Sequence, residues 1–110
     1  MTPAISIQVT TGTRHDAQAI AAALVSQRLA ACAQVSGPIE STFHWDGRQQ
    51  TSEEWLVAIK TRQEMFGEVE RAILALHSYE QPEIIALPIV AANEGYLRWV
   101  DESLGLSAPK

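Results

Sequence analysis

HSYEQPEIIALPI, residues 77–89, joins two unlike halves. The first packs an imidazole, a phenol and two carboxylates, His77, Tyr79, Glu80 and Glu83, into seven residues. The second, Ile84-Ile85-Ala86-Leu87, is a continuous apolar run lying between Pro82 and Pro88. An apolar run of that length bounded by breakers predicts a strand buried on both faces. The polar cluster is then fixed at the mouth of a core strand, where polar chemistry is mounted on rigid structure.

Upstream, Ala4–Thr10 alternates, with Ile5, Ile7 and Val9 against Ser6, Gln8 and Thr10, a half-buried strand. Thr11-Gly12-Thr13 turns, and Thr13 with Asp16 forms a variant capping box for a helix running to about Ala30. Cys32–Val35 predicts a second strand, kinked or bulged at Gly37-Pro38 and resuming as Ile39, Ser41, Phe43 and Trp45. Asp46-Gly47 signals a hairpin, with Arg48-Gln49-Gln50 able to lengthen its loop. Ser52–Lys60 returns, apolar on both faces at Trp55–Ile59. Such a strand is either central or covered by helices on one side and another subunit on the other. Thr61 and Glu64 read as a capping box for a helix carrying Phe66, Val69, Ile73 and Leu76. Asn93 opens a last helix with Leu97, Val100 and Leu104 on its buried stripe and Gly105 as its stop; Ser107–Lys110 reads as a frayed end. The order β-α-β-β-α-β plus a C-terminal helix is an α+β, ferredoxin-like split βαβ arrangement in a single domain over residues 1–110.

Composition bounds the function classes. With 46% hydrophobic and 19% charged residues the chain can build a packed core, and 110 residues leave room for one domain. A net charge of −5 with no basic run disfavours nucleic acid and anionic membrane as partners. No segment reaches the apolar length of a membrane span, and Met1-Thr2-Pro3 lacks the pattern of a secretion signal. The lone Cys32 forms no internal disulfide, in keeping with a reducing compartment, so a soluble cytoplasmic protein is expected.

HSYEQPEIIALPI followed by NEGYLRW, residues 93–99, resembles the C-terminal motif of the CutA divalent-cation tolerance family. LAACAQV at 29–35, STFHWDG at 41–47 and EWLVAIKT at 54–61 match the same family in its order, so the resemblance covers nearly the whole chain. It implies a homotrimer whose long hairpins pair sheets between subunits. Trp45, Lys60, Thr61, His77, Tyr79 and Glu83 match positions that in that family surround a cleft between subunits, placed like the ligand clefts of PII signalling proteins. Two departures stand out: Ser78 replaces the usual proline, and Thr10 stands where some members carry a cysteine, which removes a soft ligand.

The residues themselves leave several chemistries open. His77, flanked by Tyr79, Glu80 and Glu83, has the donors for a divalent metal with Cu(II) preferred, or it simply ends a helix and serves its last carbonyls. His15 and His44 show no metal-ligand spacing with it. Lys60, ahead of a helix start, could receive a small anion or pair with Glu80 or Glu83. Cys32 lacks the second thiolate that a copper chaperone needs and reads as a small buried hydrophobe. Trp45, Trp55 and Trp99 read as core or interface anchors. An acylphosphatase would need a phosphate-cradling loop after the first strand; Thr11-Gly12-Thr13-Arg14 has one glycine, and no activated nucleophile is present, so no enzyme is expected. The expected function is divalent-cation tolerance through weak metal binding, with metal at His77 and a cleft of Trp45, Lys60, Thr61, Tyr79, Glu80 and Glu83. The alternatives are a PII-like module taking a small anion in that cleft, or a trimeric scaffold.

Overall fold

The computed structural model describes residues 2–106; the expected fraying of Ser107–Lys110 lies outside them. Its elements are β1 (Ala4–Thr11), α1 (Arg14–Ser26), β2 (Cys32–Trp45), β3 (Arg48–Arg62), α2 (Phe66–Leu76), β4 (Ile84–Pro88) and α3 (Glu94–Leu104), with a 3₁₀ turn at Gln63–Met65 leading into α2. The antiparallel sheet runs β2-β3-β1-β4, the ferredoxin-like order. Among the described residues no helix is long and apolar enough to cross a membrane.

Alternation in the strands builds the core. Ile5, Ile7 and Val9 of β1 stand beside Val57 and Ile59 of β3, and all pack under Ala17, Ile20 and Leu24 of α1 and Val69 and Ile73 of α2. A smaller cluster of Ala31, Val100 and Leu104 docks α3. There Arg62 grips Asp101 through Nε–Oδ1 at 2.8 Å and Nη2–Oδ2 at 3.0 Å, both side chains being nearly buried.

Helix ends depart from the sequence reading in instructive ways. Thr13 caps α1 as expected, its hydroxyl accepting from Asp16 N–H. The helix stops at Ser26, four residues earlier than Ala30, because Arg28 adopts φ 57° and closes a Schellman turn, with Leu29 N–H on Leu24 O and Arg28 N–H on Val25 O. No glycine marks that stop. Thr61 does not cap α2: it lies in β3, and its buried hydroxyl donates to Leu29 O at 2.8 Å. Thr2, distant in sequence, holds Glu64 instead, donating to Oε1 and accepting from its N–H. Gly105 ends α3 at φ 75°, as expected.

Asp46 and Gly47, at φ 55° and 74°, form a two-residue turn with Trp45 opposite Arg48, so the hairpin is tight and Arg48-Gln49-Gln50 belong to β3. Gly37-Pro38 is a bulge. Before it Val35 faces Val57; after it Ile39 faces Glu54, one residue out of the earlier register. β1 pairs with β3 only from Trp55 onward, so the β2–β3 hairpin beyond that point is a bare two-stranded ribbon, and the molecule measures 55 × 25 × 21 Å.

β4 corrects the expectation of a strand buried on both faces. It is an edge strand, paired to β1 alone, with Ile85 and Leu87 both more than 40% exposed. An unbroken apolar run gives no sign of which face is covered. Here the helices cover one face of the sheet, and among the described residues no such layer covers the face bearing Ile85, Leu87, Leu56 and Ala58.

Candidate functional site

A cleft of ≈ 690 Å³ opens where the ribbon meets the loop entering β4. Register builds its floor. Ser41 opposes Ser52, Phe43 opposes Gln50 and Ile39 opposes Glu54, so one face of the ribbon carries Ser41, Phe43 and Trp45 beside Gln50, Ser52 and Glu54. The bulge is what makes this possible. Odd-numbered β2 residues before it, Ala33 and Val35, sit opposite Ile59 and Val57 on the helix side. A one-residue slip moves the odd residues after it to the opposite face.

Tyr79, Glu80, Gln81 and Glu83 of the β4 entry loop form the wall. His77 holds this loop by both ring nitrogens. Nδ1 accepts from Tyr79 N–H at 3.0 Å, so Nε2, 2.7 Å from Thr10 O, carries the proton and donates to that carbonyl. Its own N–H closes the last turn of α2 on Ile73 O. Neither nitrogen has a free lone pair in this arrangement, so a metal at His77 would require giving up one of the two bonds. Ser78 Oγ lies 3.4 Å from Asp16 Oδ2 and ties the loop to the start of α1.

Tyr79 crosses from the loop to the floor and donates from its phenol to Glu54 Oε2 at 2.9 Å. Burial first, then the hydrogen bond and charge of Glu54, push its pKa up to about 12, so it stays a neutral donor at physiological pH. Its ring lies against Gly12, where a Cβ would stand 3.1 Å from the phenol oxygen. Glu54 is only 8% exposed, and among the described residues it has no cationic partner; the ion pair found there is Arg62–Asp101.

The expected cluster is therefore assembled in part. Trp45, Tyr79, Glu80 and Glu83 line the cleft; Lys60 and Thr61 do not. Lys60 lies six residues along β3 from Glu54, about 20 Å at ~3.3 Å per residue. There it donates to Gln34 and pairs with neither Glu80 nor Glu83. Thr61 is fully buried. Cys32 is half-buried on β2, and His15 and His44 are exposed. Among the described residues no three His, Cys, Asp or Glu side chains converge as a metal cage. Glu54 escaped sequence reading; its only signal was a carboxylate set directly before the apolar run Trp55–Ile59, and Glu53 beside it shares that signal.

Comparison with known proteins places this architecture. Residues 5–103 match the family described as CutA1 divalent ion tolerance protein. The chain belongs to the CutA1 family. The divalent-cation tolerance protein CutA of Thermus thermophilus is 37% identical over 99 residues, covering 90% of this chain and 96% of that protein. The chloroplastic protein CutA 1 of rice is 38% identical over 101 residues, 92% of this chain. The chain spans 57% of that rice protein's length and 56% of its Arabidopsis counterpart's. The crystal structure of CutA1 from rice superposes with a TM-score of 0.90 at 37% identity, covering 93% of this chain and 94% of the other. The periplasmic divalent cation tolerance protein CutA from Archaeoglobus fulgidus gives 0.89 at 37% identity, covering 92% and 98%.

These relatives overturn the expected cytoplasmic location. CutA1 proteins are found described as chloroplastic and as periplasmic. A single thiol and an acidic surface are compatible with any of these compartments, so they carried no information about place.

Proposed function

We propose that this chain is a homotrimeric, non-catalytic divalent-cation tolerance protein whose cleft binds divalent cations weakly, Cu(II) ahead of Zn(II). The observation that carries the reading is Glu54: a nearly buried carboxylate, bonded by one neutral phenol and, among the described residues, by no cation, in a cleft also lined by Glu80 and Glu83. Charge buried without a partner is costly, and a cation entering the cleft relieves it. Among the described residues no trio of ligands converges, which makes the association weak, with water completing the coordination shell. The preference for copper follows the usual order of divalent affinities. His77 contributes by fixing the loop that carries Tyr79, Glu80 and Glu83.

Among the described residues no Lys or Arg lines the cleft, so its charge opposes the alternative of a small anion, and Lys60 stands away from it. The trimer is supported by the bare ribbon, the open face of the sheet and the unpaired edge of β4. Two-stranded ribbons are marginal alone, and exposed strand edges seek partners. Light scattering should return three times the 12.0 kDa chain mass; a monomer at micromolar concentration refutes the assembly. Calorimetry should show saturable Cu(II) binding that Glu54→Gln weakens at least tenfold. Cu(II) heats identical in the two proteins would place the metal elsewhere.

A further inference from the structure

Two backbone groups fix the protonation of His77. A carbonyl only accepts, so Nε2, 2.7 Å from Thr10 O, carries a proton; a backbone N–H only donates, so Nδ1, 3.0 Å from Tyr79 N, carries none. The closed loop therefore fits the neutral ring alone. An imidazolium holds a proton on both nitrogens and would set Nδ1–H against Tyr79 N–H. Thr10 belongs to β1 and is held in the sheet opposite Leu56, whereas Tyr79 lies in the irregular segment before β4, so Tyr79 is the partner that yields. The surroundings do not refuse the second proton. His77 caps α2, whose last turn is apolar and whose final carbonyls favour a positive ring. On α1, Asp16 reaches the same loop through Ser78 at 3.4 Å, while Arg14 is drawn over Trp55 and His15 is exposed. The Tyr79 ring tilts on the imidazole at 4.8 Å with Glu54 of β3 behind its phenol, and Glu80 follows in the loop. A charged ring gains by turning from Tyr79 N–H toward these acceptors.

We infer that His77 is an acid-released latch on the cleft wall: neutral, it ties the backbone of Tyr79 to β1; protonated, it lets Tyr79 N–H go, and the wall segment carrying Glu80 loosens. Two anchors bound the movement. Pro82 stays buried downstream, and the Tyr79 phenol stays on Glu54, so Ser78–Gln81 is freed without unfolding β4. Imidazole is the side chain that changes charge between about pH 5 and 8, so the release is expected across that interval. The latch itself stands on the hydrogen bonds alone. Its consequence, weaker hold on a divalent ion in acid, rests on the reading of the cleft as a cation site.

Amide exchange on the metal-free full chain tests the latch. After correction for the intrinsic pH dependence of exchange, protection of the Tyr79 amide should fall roughly tenfold between about pH 7.5 and 5.5, the scale of one hydrogen bond, while core amides such as Ile59 keep theirs. His77→Asn keeps the tie without the switch, because its side-chain oxygen accepts from the N–H two residues on and takes up no proton. Its Tyr79 amide should stay protected at both values. His77→Gln reaches toward Thr10 O but offers Tyr79 no acceptor, and should be unprotected at both. Ring nitrogen chemical shifts should place the proton on Nε2 at the higher pH. Equal protection of Tyr79 at both values in the wild type overturns the latch, as does a neutral ring protonated on Nδ1 or an equal acid loss in His77→Asn. Cu(II) calorimetry at the same two values should show affinity falling further in the wild type than in His77→Asn; an equal fall in both refutes control of the cation site. If Cu(II) binds and the Tyr79 amide ignores acid, the latch fails and the metal reading stands. If the amide responds and Cu(II) binds neither protein, the metal reading fails and the latch stands.

Discussion

Gly37→Ala tests the link between fold and cleft most directly. Gly37 sits at φ 151°, in the region that disfavours side chains, and a Cβ there would lie 2.7 Å from Trp55 Cε3, 2.9 Å from Cδ2 and 3.2 Å from Glu54 O. Ordinary contact begins near 3.4 Å, so the indole must retreat by about 0.7 Å, against the core it partly fills. Overpacking of that kind costs about 1–3 kcal/mol, and the backbone conformation adds about 1 kcal/mol, for a total of ~2–4 kcal/mol. With a urea m-value of about 2 kcal/mol/M, the midpoint should fall by ~1–2 M at fixed chain concentration. The same movement pushes on Glu54 and on the register slip that turns Phe43 and Trp45 into the cleft, so Cu(II) affinity should fall with stability. An unchanged midpoint with unchanged affinity would refute the account of the bulge as the device that builds the floor.

Other consequences are smaller in scope. Asp101→Ala leaves the Arg62 guanidinium buried without its carboxylate and should destabilise by about 3–5 kcal/mol in urea denaturation; the Arg62→Met/Asp101→Leu pair should lose far less. Tyr79 has its pKa raised from 10.0 to about 12 on folding. The unfolded chain therefore loses that proton first: the contribution is whole below pH ~10 and disappears between pH ~10 and ~12. For a half-buried group it amounts to about 1–2 kcal/mol, and Tyr79→Phe should flatten that part of the stability–pH curve. His77→Ala strands Thr10 O and Tyr79 N–H and should cost about 1–3 kcal/mol. It should weaken Cu(II) binding only through the loosened loop; complete loss of Cu(II) heat with unchanged stability would instead make His77 the ligand.

Much of this architecture was legible before the structure. The strand β1, the Thr13 cap, the Asp46-Gly47 turn, the Gly105 stop and the element order all follow from signals confined to a few adjacent residues. The misread features share a different character. Arg28 ends α1 in a conformation that glycine normally announces, and Thr61 sits in a strand because its hydroxyl finds Leu29 O, 32 residues away. Thr2 replaces it at Glu64 from 62 residues away. In the site, Tyr79, Glu80 and Glu83 were found because they are neighbours in sequence, whereas Glu54 was missed because its significance depends on Tyr79 crossing to it.

The sequence by itself determined the ferredoxin-like order of elements, the helix-covered core and the polar loop ahead of β4, since periodicity, caps and turns are local. It also marked Gly37-Pro38 as irregular. Only the tertiary structure decided what that irregularity does. The direction and size of a register slip depend on which β3 residues pair on either side, Val57 with Val35 and Glu54 with Ile39, and pairing is settled between strands. That slip chose the face on which Phe43 and Trp45 stand, and the packing of Tyr79 against Gly12 chose Glu54 as its partner. Lys60 was separated from the cleft for the same reason: position along an extended strand places residues only six apart at opposite ends of the sheet.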